Sequence, residues 1–172
     1  STTAGIFVNA SSTFNSTLRV NGDIYQDGYS TIYQNNLPVF VASSTNFSVS
    51  VGTSAGLNLN NEGTDNVFIG YQSGYTATSS DYNIGIGTQT LYSVVNSDGF
   101  GGKYNSAIGY QSLYSNTIGY QNAAIGYQSL YSNTTGNGNI AFGFYSLKAN
   151  TTGLNNTAIG IQTLYKNTDG YY

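Results

Sequence analysis

The sequence has no cysteine, histidine, methionine or tryptophan, a single proline, and only 6% charged residues across 172 positions. Each shortage removes a class of chemistry. Without His and Cys there is no zinc site of the usual kind, no Ser-His-Asp triad and no thiol nucleophile. Without Cys there is also no disulfide, so cysteine usage says nothing about redox compartment. The four cations, Arg19, Lys103, Lys148 and Lys166, are outnumbered by seven carboxylates. They are too few and too scattered to track a phosphate backbone, which argues against a nucleic-acid partner. There is no run of 18 apolar residues, so no spanning helix and no membrane insertion is expected. Residues 1–10 lack the basic stretch and apolar core of a secretory signal.

What is present is unusual in its balance. Asn, Ser and Thr make up more than a third of the chain, with 22 Gly and 17 Tyr. Few charges and many small polar residues are a mark of disorder, but aromatics at 15% are high for a disordered chain. The last two thirds of the sequence also repeat.

The repeated pattern is Asn-x-Ala-Ile-Gly-Tyr-Gln-Ser-Leu-Tyr. It begins at Asn66, Asn83, Asn105, Asn122, Asn139 and Asn156, so the spacings are 17, 22, 17, 17 and 17 residues. A weaker copy begins at Ser48, 18 residues before Asn66. Gly occupies the centre of every copy: Gly52, Gly70, Gly87, Gly109, Gly126, Gly143 and Gly160. A 17-residue period is too short for helical-pair repeats, and Gly, Asn, Ser and Thr are poor helix formers. Two short strands and two turns fill such a period. The chain therefore reads as an all-β protein, a parallel β-roll (β-solenoid) of about seven 17-residue coils over residues 48–172, with coils about 4.8 Å apart.

Alternation along the strands assigns roles. The bulky apolar columns are Ile69, Ile86, Ile108, Ile125, Phe142 and Ile159 in the first strand, and Leu91, Leu113, Leu130, Leu147 and Leu164 in the second. These are expected inside the coil, facing one another. The small column, Ala107, Gly109, Ala124, Gly126, Ala141, Gly143, Ala158 and Gly160, then points outward and admits a neighbouring backbone. The Asn column suits both stacked amide ladders and turn geometry. Two apolar residues per coil are a thin core. Each buried Ile or Leu contributes about 1.5–3 kcal/mol, whereas ordering a residue's backbone costs about 1–2 kcal/mol. A lone roll is marginal on that comparison. The prediction is a homotrimer packed on the small-residue face, with the tyrosine columns (Tyr71, Tyr110 and Tyr127; Tyr75, Tyr92, Tyr114, Tyr131 and Tyr165) at the seams between chains.

The Ala-Ile-Gly-Tyr-Gln-Ser-Leu-Tyr-Ser-Asn-Thr-Thr-Gly run (residues 124–136) resembles the head repeat of trimeric autotransporter adhesins of the YadA type, and similar repeats of phage and giant-virus tail fibres. The likeness extends over residues 48–172. It is closest in the x-Ala-Ile-Gly core (Ser106 to Gly109, Ala123 to Gly126, Thr157 to Gly160) and the Gly-x-x-Ser step (Gly109 to Ser112, Gly126 to Ser129). It implies a left-handed parallel β-roll, trimeric, working as a surface fibre or adhesin. The longer period and the Tyr/Gln-rich second half depart from the adhesin head.

Residues 1–47 lack the repeat. Asn21-Gly22 and Asp27-Gly28 are hairpin-turn signals, and Pro38 marks a break near the junction. The segment from Leu18 to Gly28 is similar to the short-strand stems that precede fibre heads. A short-strand β stem or prism, covering the first coil's open edge, is expected here.

Candidate sites are few. Gly99 to Lys103 lacks phosphate-loop spacing and reads as part of an inserted loop, because five extra residues lie between Ser93 and Tyr104. Asp98, Phe100, Lys103 and Tyr104 in that loop are the receptor-contact candidates, since loops carry function more often than scaffolds do. The seven carboxylates show no paired spacing of the kind a glycosidase needs and no calcium loop. Sequons fall at Asn9, Asn15, Asn46, Asn133, Asn150 and Asn155. No cofactor or metal is expected. The resulting expectation is a non-enzymatic extracellular fibre or adhesin on a cell or virion surface, binding itself and a surface glycan or protein receptor. The alternatives are a filament subunit that stacks end to end, and a glycan-binding tail protein.

Overall fold

The computed structural model describes residues 30–34, 37–42, 47–59, 62–96, 99 and 101–171. Nine strands form one sheet in chain order: β1 (Ser30–Gln34), β2 (Leu37–Ala42), β3 (Val49–Val51), β4 (Val67–Ile69), β5 (Ile84–Ile86), β6 (Ser106–Ile108), β7 (Ala123–Ile125), β8 (Ile140–Phe142) and β9 (Thr157–Ile159). Among the described residues there is no helix. β1 and β2 pair antiparallel, β2 pairs antiparallel with β3, and β3 to β9 are all parallel. The seven parallel strands are the rungs of a β-solenoid of about six turns. Pro38 lies opposite Tyr33, just past a register shift in the β1–β2 hairpin. A residue with no N–H is tolerated at such a place. The stem expected over residues 1–47, including the segment from Leu18 to Gly28, lies mostly outside the described residues.

Register follows the repeat. Ser50, Phe68, Gly85, Ala107, Ala124, Ala141 and Ala158 lie over one another. The glycine that follows each parallel strand has a positive φ, +123° at Gly109. A Cβ there would come within 2.5 Å of the Gly126 carbonyl oxygen in the next coil. Both conditions exclude other residues.

Two expectations are corrected here. The first concerns the second half of each coil, which is not a strand. After the glycine the chain runs through consecutive turns, with Gln111 and Leu113, and their equivalents Gln128 and Leu130, in the left-handed region at φ 50–53°. Such residues cost about 1–3 kcal/mol each. They are held by bonds to neighbouring coils: Leu113 N–H donates to Ser129 O at 3.0 Å and Gln111 N–H to Thr88 O at 2.9 Å.

The second correction concerns which face is inside. The strand-centre alanines Ala107, Ala124, Ala141 and Ala158 are buried in the coil, together with Leu91, Leu113, Leu130 and Leu147, while Leu164 in the last coil is partly exposed. Ile69, Ile86, Ile108, Ile125, Phe142 and Ile159 face outward. The coil is too narrow for Ile opposite Leu. Leu reaches in from the turns and fills the width, and only Ala fits across from it. The same volume rule explains the variant coil at 66–75, where Phe68 takes the Ala position and Gly74 the Leu position. A Cβ on Gly74 would meet the Phe68 ring at 2.5 Å.

The rest of the interior is polar and paired along the axis. Asn66, Asn83, Asn105, Asn122, Asn139 and Asn156 are buried. Asn122 is typical: its Nδ2 donates to Asn105 Oδ1 (3.2 Å) and Gly136 O (2.8 Å), and its Oδ1 accepts from Asn139 N–H (3.0 Å) and Nδ2 (3.1 Å). A second ladder, Asn116, Asn133, Asn150 and Asn167, runs beside it at 2.8–3.2 Å. Ser and Thr hydroxyls pair between coils, as in Ser73 with Thr90 at 2.7 Å. Buried amides are acceptable because these partners replace water.

Candidate interaction surface

The outward face of β3–β9 is apolar. Ile69, Ile86, Ile108, Ile125 and Phe142 form one column, each 36–42% exposed, and Ile84 and Ile140 lie beside it at the strand starts. Ile159, in β9, is 68% exposed. Just beyond the glycines, Tyr110, Tyr127 and Phe144 stack at 5.1 and 5.3 Å and extend the strip sideways. Six coil spacings of about 4.8 Å make the strip about 29 Å long. Soluble monomers rarely expose so continuous an apolar patch, and such patches mark interaction sites. Of the small residues that the sequence suggested as the subunit interface, Ala107, Ala124, Ala141 and Ala158 lie inside the coil and are not available for contact, whereas Gly109, Gly126 and Gly143 are half-buried and Gly160 is exposed.

A different edge of the roll carries axial ladders. Gln72, Gln89, Gln111 and Gln128 are joined amide to amide at 2.6–2.9 Å. Tyr75, Tyr92, Tyr114 and Tyr131 stack at 5.0–5.2 Å, half-buried. Burial, then the neighbouring Tyr114, Tyr75 and Tyr71, holds the Tyr92 phenol above its ordinary pKa. In the next coil Lys148 takes the tyrosine position. Its ammonium lies 4.0 Å from the Tyr145 ring centroid, and 5.8 and 6.0 Å from Tyr131 and Tyr165. The cation thus continues an aromatic column through its neighbours' ring faces.

The insertion falls between Val95 and Gly102, which keep register with the next coil. Val95 N–H donates to Thr117 O and Gly102 N–H to Ile118 O. Asp98 and Phe100 lie outside the described residues. Lys103 and Tyr104 belong to the roll: Lys103 Nζ pairs with Asp81 Oδ2 at 2.6 Å, and Tyr104 stacks on Tyr82 at 5.0 Å with its outer face exposed. Asp81 also accepts from Thr64 N–H at 2.9 Å, so the pair ties three coils together. The hydrogen bond to Asp81 raises the Lys103 pKa above its ordinary value. Among the sequons, Asn133 and Asn150 are buried in the second amide ladder and Asn155 is exposed. Among the described residues, no three carboxylates gather into a metal site.

No family model, curated protein or solved structure matches the chain. The described residues form a roll with one apolar long side and polar and aromatic ladders elsewhere. Sequence reasoning named the Ile column but assigned it to the interior. The signal that would have corrected this was volume: Phe68 occurs at the Ala position only where Gly74 replaces Leu.

Proposed function

We propose that this chain forms a non-enzymatic extracellular fibre segment, a homotrimer displayed on a cell or virion surface for attachment. The carrying observation is the Ile and Phe142 strip along β3–β9, which leaves a long apolar side of each roll in water. Three rolls side by side, each turning its strip to the common axis, bury it and supply the second core that a narrow coil lacks. The axis is thus lined by Ile108 and its equivalents rather than by the alanines. The likeness of the Ala-Ile-Gly-Tyr-Gln-Ser-Leu-Tyr repeat to trimeric adhesin heads supports the same arrangement. Few charges, no redox-sensitive side chains and dense axial hydrogen bonding suit a durable exposed rod.

Sedimentation equilibrium tests the assembly. The wild type should run at three times 18.2 kDa, and the double variant Ile108→Asn, Ile125→Asn should run as a folded monomer, since both side chains are already partly exposed in one chain. A wild type that remains at the mass of one chain at micromolar concentration removes the trimer. For attachment, labelled wild type should decorate intact cells more strongly than the monomeric variant, through avidity. Equal staining by both would remove multivalent attachment from the reading.

A further inference from the structure

Two asparagines in the chain precede a glycine, Asn21 and Asn137. Asn21 lies outside the described residues. An Asn-Gly step is open to attack by the glycine's backbone nitrogen on the asparagine's side-chain carbon, because glycine has no Cβ to crowd the approach. What the fold loses when that amide becomes a carboxylate depends on the bonds the amide makes.

Asn137 is partly exposed, in the bend that leads into β8. Three bonds define this corner of the coil. Tyr120 N–H donates to Asn137 Oδ1 at 2.9 Å, Gly138 N–H donates to Tyr120 O at 3.1 Å, and Asn155 N–H donates to Asn137 O at 2.9 Å. None of them uses the side-chain nitrogen. Asn137 Nδ2 donates to no group of the described residues. Asn139, two residues on, is the opposite case. It is buried, and its Nδ2 donates to Asn122 Oδ1 at 3.1 Å and Gly153 O at 2.8 Å.

The roll already holds a carboxylate at the same corner of an earlier coil. Thr64 N–H donates to Asp81 Oδ1 at 2.9 Å, Tyr82 N–H to Thr64 O at 3.0 Å, and Tyr104 N–H to Asp81 O at 3.2 Å. These are the three bonds of Asn137, one for one, with an aspartate in its place. A charged acceptor strengthens the bond from the backbone N–H.

We infer that Asn137 is a site of non-enzymatic deamidation, and that the folded coil accepts the aspartate product and rejects its isomer. The Gly138 nitrogen bonds to Asn137 Cγ, the Cγ–Nδ2 bond breaks, and ammonia leaves with the proton from Gly138. Water then opens the ring. Opening at Cγ restores the ordinary backbone with an aspartate side chain. Opening at the main-chain carbonyl leaves the isomer, whose backbone is longer by one carbon. The net change is water in and ammonia out. Ring closure must break the Gly138 bond to Tyr120 O, so it proceeds from a locally open corner. On reclosing, the aspartate chain regains all three bonds. The lengthened isomer cannot hold the Gly138 and Asn155 bonds in register together, so its corner stays open and free to form the ring again. The aspartate accumulates, and each chain gains a negative charge.

The test is peptide mapping by mass spectrometry of the intact chain incubated at pH 8, beside a synthetic peptide of residues 132–143. Conversion at Asn137 should be about tenfold slower in the chain than in the peptide, the effect of a corner that is mostly closed. It should precede conversion at the buried Asn122, Asn133, Asn139 and Asn150, and give a higher ratio of aspartate to isoaspartate than the peptide does. No conversion at Asn137 within about a hundred peptide half-lives, buried asparagines converting as fast, or the same product ratio in chain and peptide overturns the proposal. Tolerance of the product is read by hydrogen exchange on variants. In Asn137→Asp the Tyr120 amide should stay as protected as in the wild type, whereas in Asn137→Ala it should exchange about fivefold faster, the worth of a typical hydrogen bond. An Asp variant that exchanges like the Ala variant overturns the acceptance of the product. Neither measurement depends on whether three chains associate.

Discussion

Replacing Asn122 with Asp changes one NH2 to one oxygen at nearly constant volume, in the middle of the buried amide ladder. The two acceptor bonds, to Asn139 N–H and Nδ2, survive. The two donor bonds, to Asn105 Oδ1 at 3.2 Å and Gly136 O at 2.8 Å, become oxygen-to-oxygen contacts. Two lost hydrogen bonds remove about 1–3 kcal/mol. Leaving a buried carboxylate with no cation beside it is the larger cost, so in total Asn122→Asp should lose about 3–5 kcal/mol at pH 7, the range for an uncompensated buried charge. The loss must depend on pH with a definite sign. Burial raises the folded-state pKa of the new carboxyl above its unfolded value, so the folded state holds the proton more tightly. The variant is therefore closest to wild type at pH 3, loses stability as pH rises past about 4, the unfolded carboxyl's value, and reaches its full deficit once the folded group ionises. Urea unfolding followed by circular dichroism at pH 3 and pH 7, always as the difference from wild type, measures this. A deficit equal at the two pH values would refute the buried-charge argument. No deficit at either would refute the ladder as a source of stability.

The packing rule gives a rescue experiment. Phe68→Ala should cost about 3–5 kcal/mol and Gly74→Leu should clash with the Phe68 ring, but the double variant recreates the coil at 105–114 and should recover most of both losses. Simple additivity in thermal melts would mean the two positions do not share one space. Ala124→Leu should lower the melting temperature by overpacking the coil interior, about 1–3 kcal/mol. If it only separates chains without lowering the monomer's melting point, Ala124 is not inside. Lys103 contributes stability that is present below its unfolded pKa and lost as pH rises through its higher folded value. Tyr92, also raised, loses stability in the same direction. From pH 8 to 11 the wild type should therefore lose more stability than Lys103→Met, and parallel curves would remove the Asp81 pair from the account.

The 17-residue spacing, the invariant Gly109 column and the Asn column were enough to dictate stacked parallel rungs and their register. Those features act between a coil and its neighbour, and the repeat makes every neighbour the same, so local pattern and long-range contact coincide. The face that turns inward was another matter. Alternation separates Ala107 from Ile108 but does not say which is buried, and ranking by hydrophobicity chose Ile. The folded coil chose Ala, because Leu113 enters from the turns and the width left across it is one methyl group. The second half of the coil was misread for a related reason. Gln111 and Leu113 have no intrinsic preference for positive φ, and they adopt it only where coil-to-coil hydrogen bonds and leucine burial outweigh the strain.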